Sequence, residues 1–141
     1  MRLNAVSILV PDYASGLEFY VEKLGFSVVQ DVPQGDKRWI VICPPGGGTK
    51  IVLAEARTAR QRAAVGEQGG GRVWLFLETD DFARDHARFR AAEVAFEEEP
   101  RREPYGIVAV FGDPFGNRWD LIQYAPEEDA NKKTRPKPGL S

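Results

Sequence analysis

The chain has 141 residues, 43% of them apolar, and sets 19 lysines and arginines against 21 aspartates and glutamates. A formal charge of −2 leaves no basic surplus for a phosphate backbone, and one cysteine excludes an intramolecular disulfide or a Cys-rich zinc cluster. A single histidine excludes any two-imidazole metal triad within one chain, and no run approaches the roughly 18 apolar residues of a spanning helix.

These bounds predict one cytoplasmic domain with no nucleic-acid or membrane partner. The short apolar run that follows Asn4 stays below signal-peptide length.

Residues 6–10 read as a β-rich run stopped by Pro11-Asp12. From Tyr13 the apolar spacing turns helical through Leu17, Tyr20, Val21 and Leu24, and Gly25 ends it. Strand-like runs follow at 26–32, 38–43 and 50–54, separated by Pro33-Gln34-Gly35-Asp36 and by Pro44-Pro45-Gly46-Gly47-Gly48. Residues 55–71, ending in three glycines, read as an exposed connector.

The order then recurs. A strand covers 72–78, Asp80-Asp81 cap a helix running to about Ala92, and strands follow at 94–98, 107–112 and 118–124. Sliding the chain by 68 or 69 positions lays Asp12 on Asp81, Tyr20 on Phe89 and Val52-Leu53 on Asp120-Leu121, an internal repeat of a supersecondary unit. The predicted fold is α+β: two tandem βαβββ modules, about 3–55 and 72–125, within one domain spanning 1–125. The polar, proline-rich stretch 126–141 reads as a disordered tail.

Three segments carry a resemblance: Asp12 followed by Phe19-Tyr20 and Leu24-Gly25-Phe26; Thr79-Asp80-Asp81; and Gly112-Asp113-Pro114-Phe115-Gly116-Asn117-Arg118-Trp119-Asp120-Leu121. Taken singly they are a helix face with its stop, a helix cap and a tight turn. In this order, over about 3–125, they resemble the vicinal oxygen chelate superfamily, which holds glyoxalase I, bleomycin-resistance proteins and extradiol dioxygenases. The resemblance implies a curved, half-barrel mixed sheet with helices on its convex face and a ligand cavity on the concave one. It also implies a homodimer.

Metal-dependent members of that superfamily place four ligands in the cavity, and the corresponding positions here are Ala5, Val52, Trp74 and Asp120. Only Asp120 offers a lone pair suited to a divalent metal. The expectation is therefore a pocket without a metal cofactor. A divalent metal held by Asp120, with Glu78 or ligands from a partner chain completing the shell, is the alternative.

Strand parity puts Trp74, Phe76 and Glu78 together, puts Arg118, Asp120, Ile122 and Tyr124 together, and sets Ser7 beside Ala5. The expected pocket is Ser7, Val52, Trp74, Phe76, Asp120 and Ile122, apolar and aromatic. Whether Trp74 walls a cavity or fills the barrel stays open from sequence.

Lys50, Arg72 and Arg118 each stand two residues before a former ligand position. They could form an anion-binding rim, or they are simply the charged starts of exposed strands. His86 falls with Phe82 and Phe89 at i, i+4 and i+7, which predicts a structural role on the convex side. Trp119 alternates with Asp120 toward the helices, and Tyr105 sits in a loop that could cover the cavity mouth. Trp39 is ambiguous, and Cys43 has no nearby activator.

Function then divides three ways: binding of a small aromatic or hydrophobic molecule; a metal-dependent lyase, isomerase or dioxygenase using Asp120; or a non-catalytic assembly module.

Overall fold

The computed structural model describes residues 1–126. The polar stretch from 127 to the end lies outside the described residues. Strand β1 (Ala5–Val10) leads through Asp12 into helix α1 (Tyr13–Leu17), which continues as a π-helical segment (Glu18–Lys23). The Asp12 carboxylate caps the helix by accepting from the Ser15 amide at 2.7 Å. Strands β2 (Ser27–Gln34), β3 (Lys37–Cys43) and β4 (Lys50–Glu55) complete the first module.

Helix α2 (Ala59–Ala64) precedes the second module: β5 (Val73–Glu78), α3 (Phe82–Ala91), β6 (Ala95–Phe96), β7 (Arg101–Glu103), β8 (Gly106–Gly112) and β9 (Arg118–Tyr124). The strands form two mixed sheets, ordered β1-β4-β3-β2 and β5-β9-β8-β6, with β7 also on β8. Each sheet starts with a parallel pair, β1 on β4 and β5 on β9, and continues antiparallel. The repeat read from the sequence is thus a repeat of topology, and neither sheet closes into a barrel.

Period-two alternation divides each sheet into a helix-packed and an open face. Ile8 and Val10 on β1, Ile40 and Ile42 on β3, and Ile51 and Leu53 on β4 are buried on the helix-packed face of the first sheet, where Ile8, Leu53 and Ile40 stand in register. Ala109, Phe111, Trp119 and Leu121 do the same on the second, and both sets belong to one hydrophobic core with Phe19, Tyr20, Leu24 and Phe26. Gly16 marks how closely α1 approaches: a Cβ there would lie 3.0 Å from Val10 Cγ1.

The modules are stitched by a buried polar group. Asp113 accepts through Oδ1 from the amides of Phe115, Gly116 and Asn117 at 2.9–3.0 Å, which holds the 113–117 turn. Its Oδ2 accepts from Asn117 Nδ2 at 2.8 Å and from the Tyr20 hydroxyl at 2.5 Å. Trp119 Nε1 in turn donates to the Tyr20 hydroxyl. Burial, reinforced by the Asp113 charge, pushes the Tyr20 pKa well above the ordinary phenol value, so the hydroxyl keeps its proton.

Four details differ from the sequence expectation. The connector 55–71 contains α2, started by a reciprocal capping box between Thr58 and Gln61. Its continuation is anchored, because Gln68 Oε1 accepts from the Leu9 amide and Gln68 Nε2 donates to the Ser7 carbonyl, covering the outer edge of β1. A Cβ on Gly66 would lie 1.8 Å from the Phe115 carbonyl oxygen, so this linker presses onto the 113–117 turn.

The strand expected over 94–98 shrinks to Ala95–Phe96, after which the chain bends away and returns as the unanticipated β7. Residues 33–34, read as a turn, extend β2, since an edge strand tolerates Pro33. The first helix is partly π-helical, with the Leu24 amide reaching the Phe19 carbonyl, and the adjacent Phe19 and Tyr20 both enter the core.

Two predictions follow from this packing. Tyr20→Phe leaves Trp119 Nε1 without its acceptor and removes one donor from Asp113, which should cost about 2–3 kcal/mol and lower the thermal midpoint measured by calorimetry. Asp113→Ala, which orphans three turn amides as well, should cost more.

His86 stacks on Phe82 and packs against Phe96, with Nε2 buried and unpartnered. Burial first, and then the nearby Arg90 charge, depress its pKa against the opposing pull of Glu99. The unfolded chain therefore takes up a proton near pH 6.5 that the folded chain resists, and stability should fall as the pH drops from 7 toward 5.5. Thermal melts of His86→Phe across that window should lose the slope.

Candidate functional site

The open faces are set by what the other faces bury. Trp119 and Leu121 point into the core, so Arg118, Asp120, Ile122 and Tyr124 lie on the open side of β9. Register brings Phe76 of β5 and Val110 of β8 to either side of Asp120, and Glu78 and Val108 to either side of Ile122. On the first sheet Ser7 stands opposite Val52, and Val52 opposite Val41. Trp39 stands opposite Val32 and donates from Nε1 to Gln30, which settles its face as the open one.

The middle of the second face is filled: Val108, Val110 and Ile122 are buried. Its edge is not. Phe76 is 63% exposed, and on the other sheet Val32 and Trp39 are 43% and 38% exposed. These are large apolar side chains presented to solvent from strands, a surface suited to flat apolar groups.

Among the described residues no hydrogen bond or ion pair reaches the Asp120 carboxylate, and its Oδ1 is shut off from solvent without a partner. Burial raises the Asp120 pKa. The charges it feels are Arg101, Glu98 and Arg118, the arginines opposing the rise and the glutamate adding to it. Both arginines are already engaged. Arg118 is clasped by Glu97 through two bonds of 2.8 Å and also donates to the Gly71 carbonyl. Arg101 is held by Glu98 at 2.8 Å and Glu103 at 2.5 Å.

The expected pocket residues thus fall into two groups on two sheets: Ser7 and Val52 on the first, Phe76, Asp120 and Ile122 on the second. Trp74 is the extra residue of a β-bulge between Val73 and Leu75, half-buried against the core, with its Cβ so close to Gly69 that a Cβ there would come within 2.6 Å.

The expected cationic rim is not a set of free charges. Arg118 is neutralised by Glu97, and Lys50 Nζ contacts Asn4 Oδ1 at 3.4 Å, while Arg72 is exposed at the start of β5. Tyr105 lies at the turn between β7 and β8, its ring 6.5 Å from that of Tyr124.

Sequence reasoning missed a cleft of about 620 Å³ on the other side of β5. Its floor includes Phe26, Ile51, Leu77 and Phe89, and its rim the Pro44–Thr49 loop, Arg84 and Arg88. Phe76 alone is shared with the expected pocket. Nothing in strand parity could have found this cleft, because it lies between elements of different modules. The Glu98–Arg101 pair was detectable as an acidic run followed three residues later by arginines.

The donors do not fit the superfamily's metal. Of Ala5, Val52, Trp74 and Asp120, three offer a methyl, an isopropyl and an indole, and a lone carboxylate leaves most of a six-ligand shell to water. Glu78 shares the face of Asp120 but stands two residues along the register, opposite Ile122. Among the described residues no group of three or more His, Cys, Asp or Glu could hold an ion.

Comparison with known proteins agrees with the topology. A protein of Shewanella frigidimarina is 46% identical over 84% of this chain and 90% of its own. TnmS3, an antibiotic-binding protein from Streptomyces sp. CB03234, superposes with a TM-score of 0.74 at 32% identity, covering 89% of this chain and 97% of that one. A glyoxalase/bleomycin resistance protein from the same Streptomyces superposes at 0.70 with 35% identity over 85% and 99% of the two chains. The sequence pattern of the family matches residues 2–121, and the chain belongs to the glyoxalase/bleomycin resistance protein/dioxygenase superfamily.

Proposed function

We propose that the protein binds a small aromatic or hydrophobic molecule on its open sheet faces, without the metal that catalytic members of the superfamily use. The observation that carries this reading is the face itself. Phe76 stands exposed beside Asp120, at a position where metal-dependent relatives hold one of four ligands, while the other three positions carry no donor. The likeness to an antibiotic-binding protein at 32% identity supports a drug-like or secondary-metabolite ligand and a sequestering role.

Each open face is half of an enclosure. Exposed Val32 and Trp39 on one sheet and Phe76 on the other favour a homodimer in which a second copy covers them, and a cytoplasmic location fits a chain with one cysteine.

The test is a thermal-shift screen of planar aromatic antibiotics with and without a chelator. A ligand at one hundred times its Kd should stabilise the fold by about 2.7 kcal/mol, equally in the presence of EDTA. A shift that appears only after adding a divalent metal would reverse the reading. Light scattering during gel filtration should give twice the 15.7 kDa chain mass, and a monomer at micromolar concentration would remove the dimer from it.

A further inference from the structure

The charge on the open face of the second sheet points to a narrower class of ligand; this rests on the binding reading above. Asp120 is flanked in register by Phe76 and Val110, with Ile122 two residues on, so its neighbours across the sheet are apolar. Among the described residues the cations that act on it, Arg101 and Arg118, are spent on Glu98, Glu103 and Glu97. Arg102 alternates to the opposite face of β7. Among the described residues two guanidiniums therefore meet four carboxylates, and the unmatched one, with apolar neighbours across the sheet, is Asp120.

A carboxylate with one oxygen, here Oδ1, shut away from water without a hydrogen-bond partner is costly, and it survives where something else supplies the donor. A divalent metal does not fit the donor set, as shown above. A cationic ammonium or amidine-like group fits a single carboxylate by one charge-assisted hydrogen bond, and an attached flat ring would lie along Phe76.

We propose that this face selects molecules that carry a cationic amine on an aromatic body, with Asp120 as the anchoring acceptor. The arrangement predicts discrimination by charge among ligands of one shape. An anionic ring system meets the same apolar edge and an uncompensated negative charge. A cationic one completes the pairing.

The experiment uses the full-length protein and two fluorescent tricyclic probes of similar size, 9-aminoacridine, a cation at neutral pH, and 9-anthracenecarboxylate, an anion. Direct titration of the wild type should give at least tenfold tighter binding of the cation. Asp120→Asn should abolish that preference by weakening the cation about tenfold while sparing the anion, and its thermal midpoint without ligand should be equal to or above wild type. Asp120→Ser serves as the second variant should the first fail to fold, and Glu78→Gln should retain the preference.

Equal or tighter binding of the anion, or an unchanged preference in both Asp120 variants, overturns the charge assignment while leaving the apolar binding face in place. Binding of neither probe overturns the binding reading and this inference with it.

Discussion

The fold turns on one buried carboxylate. Asp113 gathers five hydrogen bonds, three from the backbone of its own turn, one from Asn117 and one from a tyrosine hydroxyl 93 residues earlier in the chain. A charge is tolerable inside a protein only when its lone pairs are filled, and here the filling is divided between the β8–β9 turn and the first helix. The Tyr20 hydroxyl also accepts from Trp119, so the same knot fixes which way β9 begins. With Trp119 held inward, alternation leaves Asp120 no choice but the open face. The core polar group and the candidate site are consecutive consequences of one strand register.

Much of this was legible because it follows from local chemistry. The periodicity change at Tyr13, the Pro11-Asp12 strand stop, the Asp81 cap, the Gly25 stop and the Asp113–Asn117 turn are decided within a few residues, and they give both modules and their order. The inward Trp119 and the structural His86 followed from simple face counting.

What escaped the sequence needed partners far away. Asp113 reads as a turn former until Tyr20 is beside it. Gln68 has no signature as an edge cap, yet its side-chain amide stands in for a neighbouring strand on β1. Helix α2 is only six residues long, and its Ala/Arg/Gln content resembles that of a linker. Trp74 was placed on its face by simple parity, which takes no account of the extra residue a bulge inserts.

The candidate site shows why charge is harder to read than shape. Parity brought out Lys50, Arg72 and Arg118 as a set of cations because it examined strands one at a time. The carboxylate that claims Arg118 sits on the segment leading out of β6, twenty-one residues before it, and the one that claims Arg101 is three residues back. Ion pairing with Glu97 takes up the charge of Arg118, while Lys50 contacts the neutral Asn4 side chain and Arg72 stays exposed.

The open faces of the two sheets differ in kind. On the first sheet the positions equivalent to metal ligands carry Ala5 and Val52, beside Ser7 and Val41, with no acid among them. On the second, Phe76 and Ile122 supply apolar surface and Asp120 keeps a charge. If a ligand is held between one face of each type, shape complementarity is shared by both modules but charge recognition belongs to the second alone. A single carboxylate in an apolar setting discriminates by charge in the opposite sense to a metal ion. It can accept hydrogen bonds and attract a cation, yet it has no means to draw in an anion, whereas a metal ion exerts the reverse pull. On the proposed binding reading, the missing ligands would do more than remove a reaction centre: a face with a lone carboxylate would favour a cation where a metal ion would favour an anion.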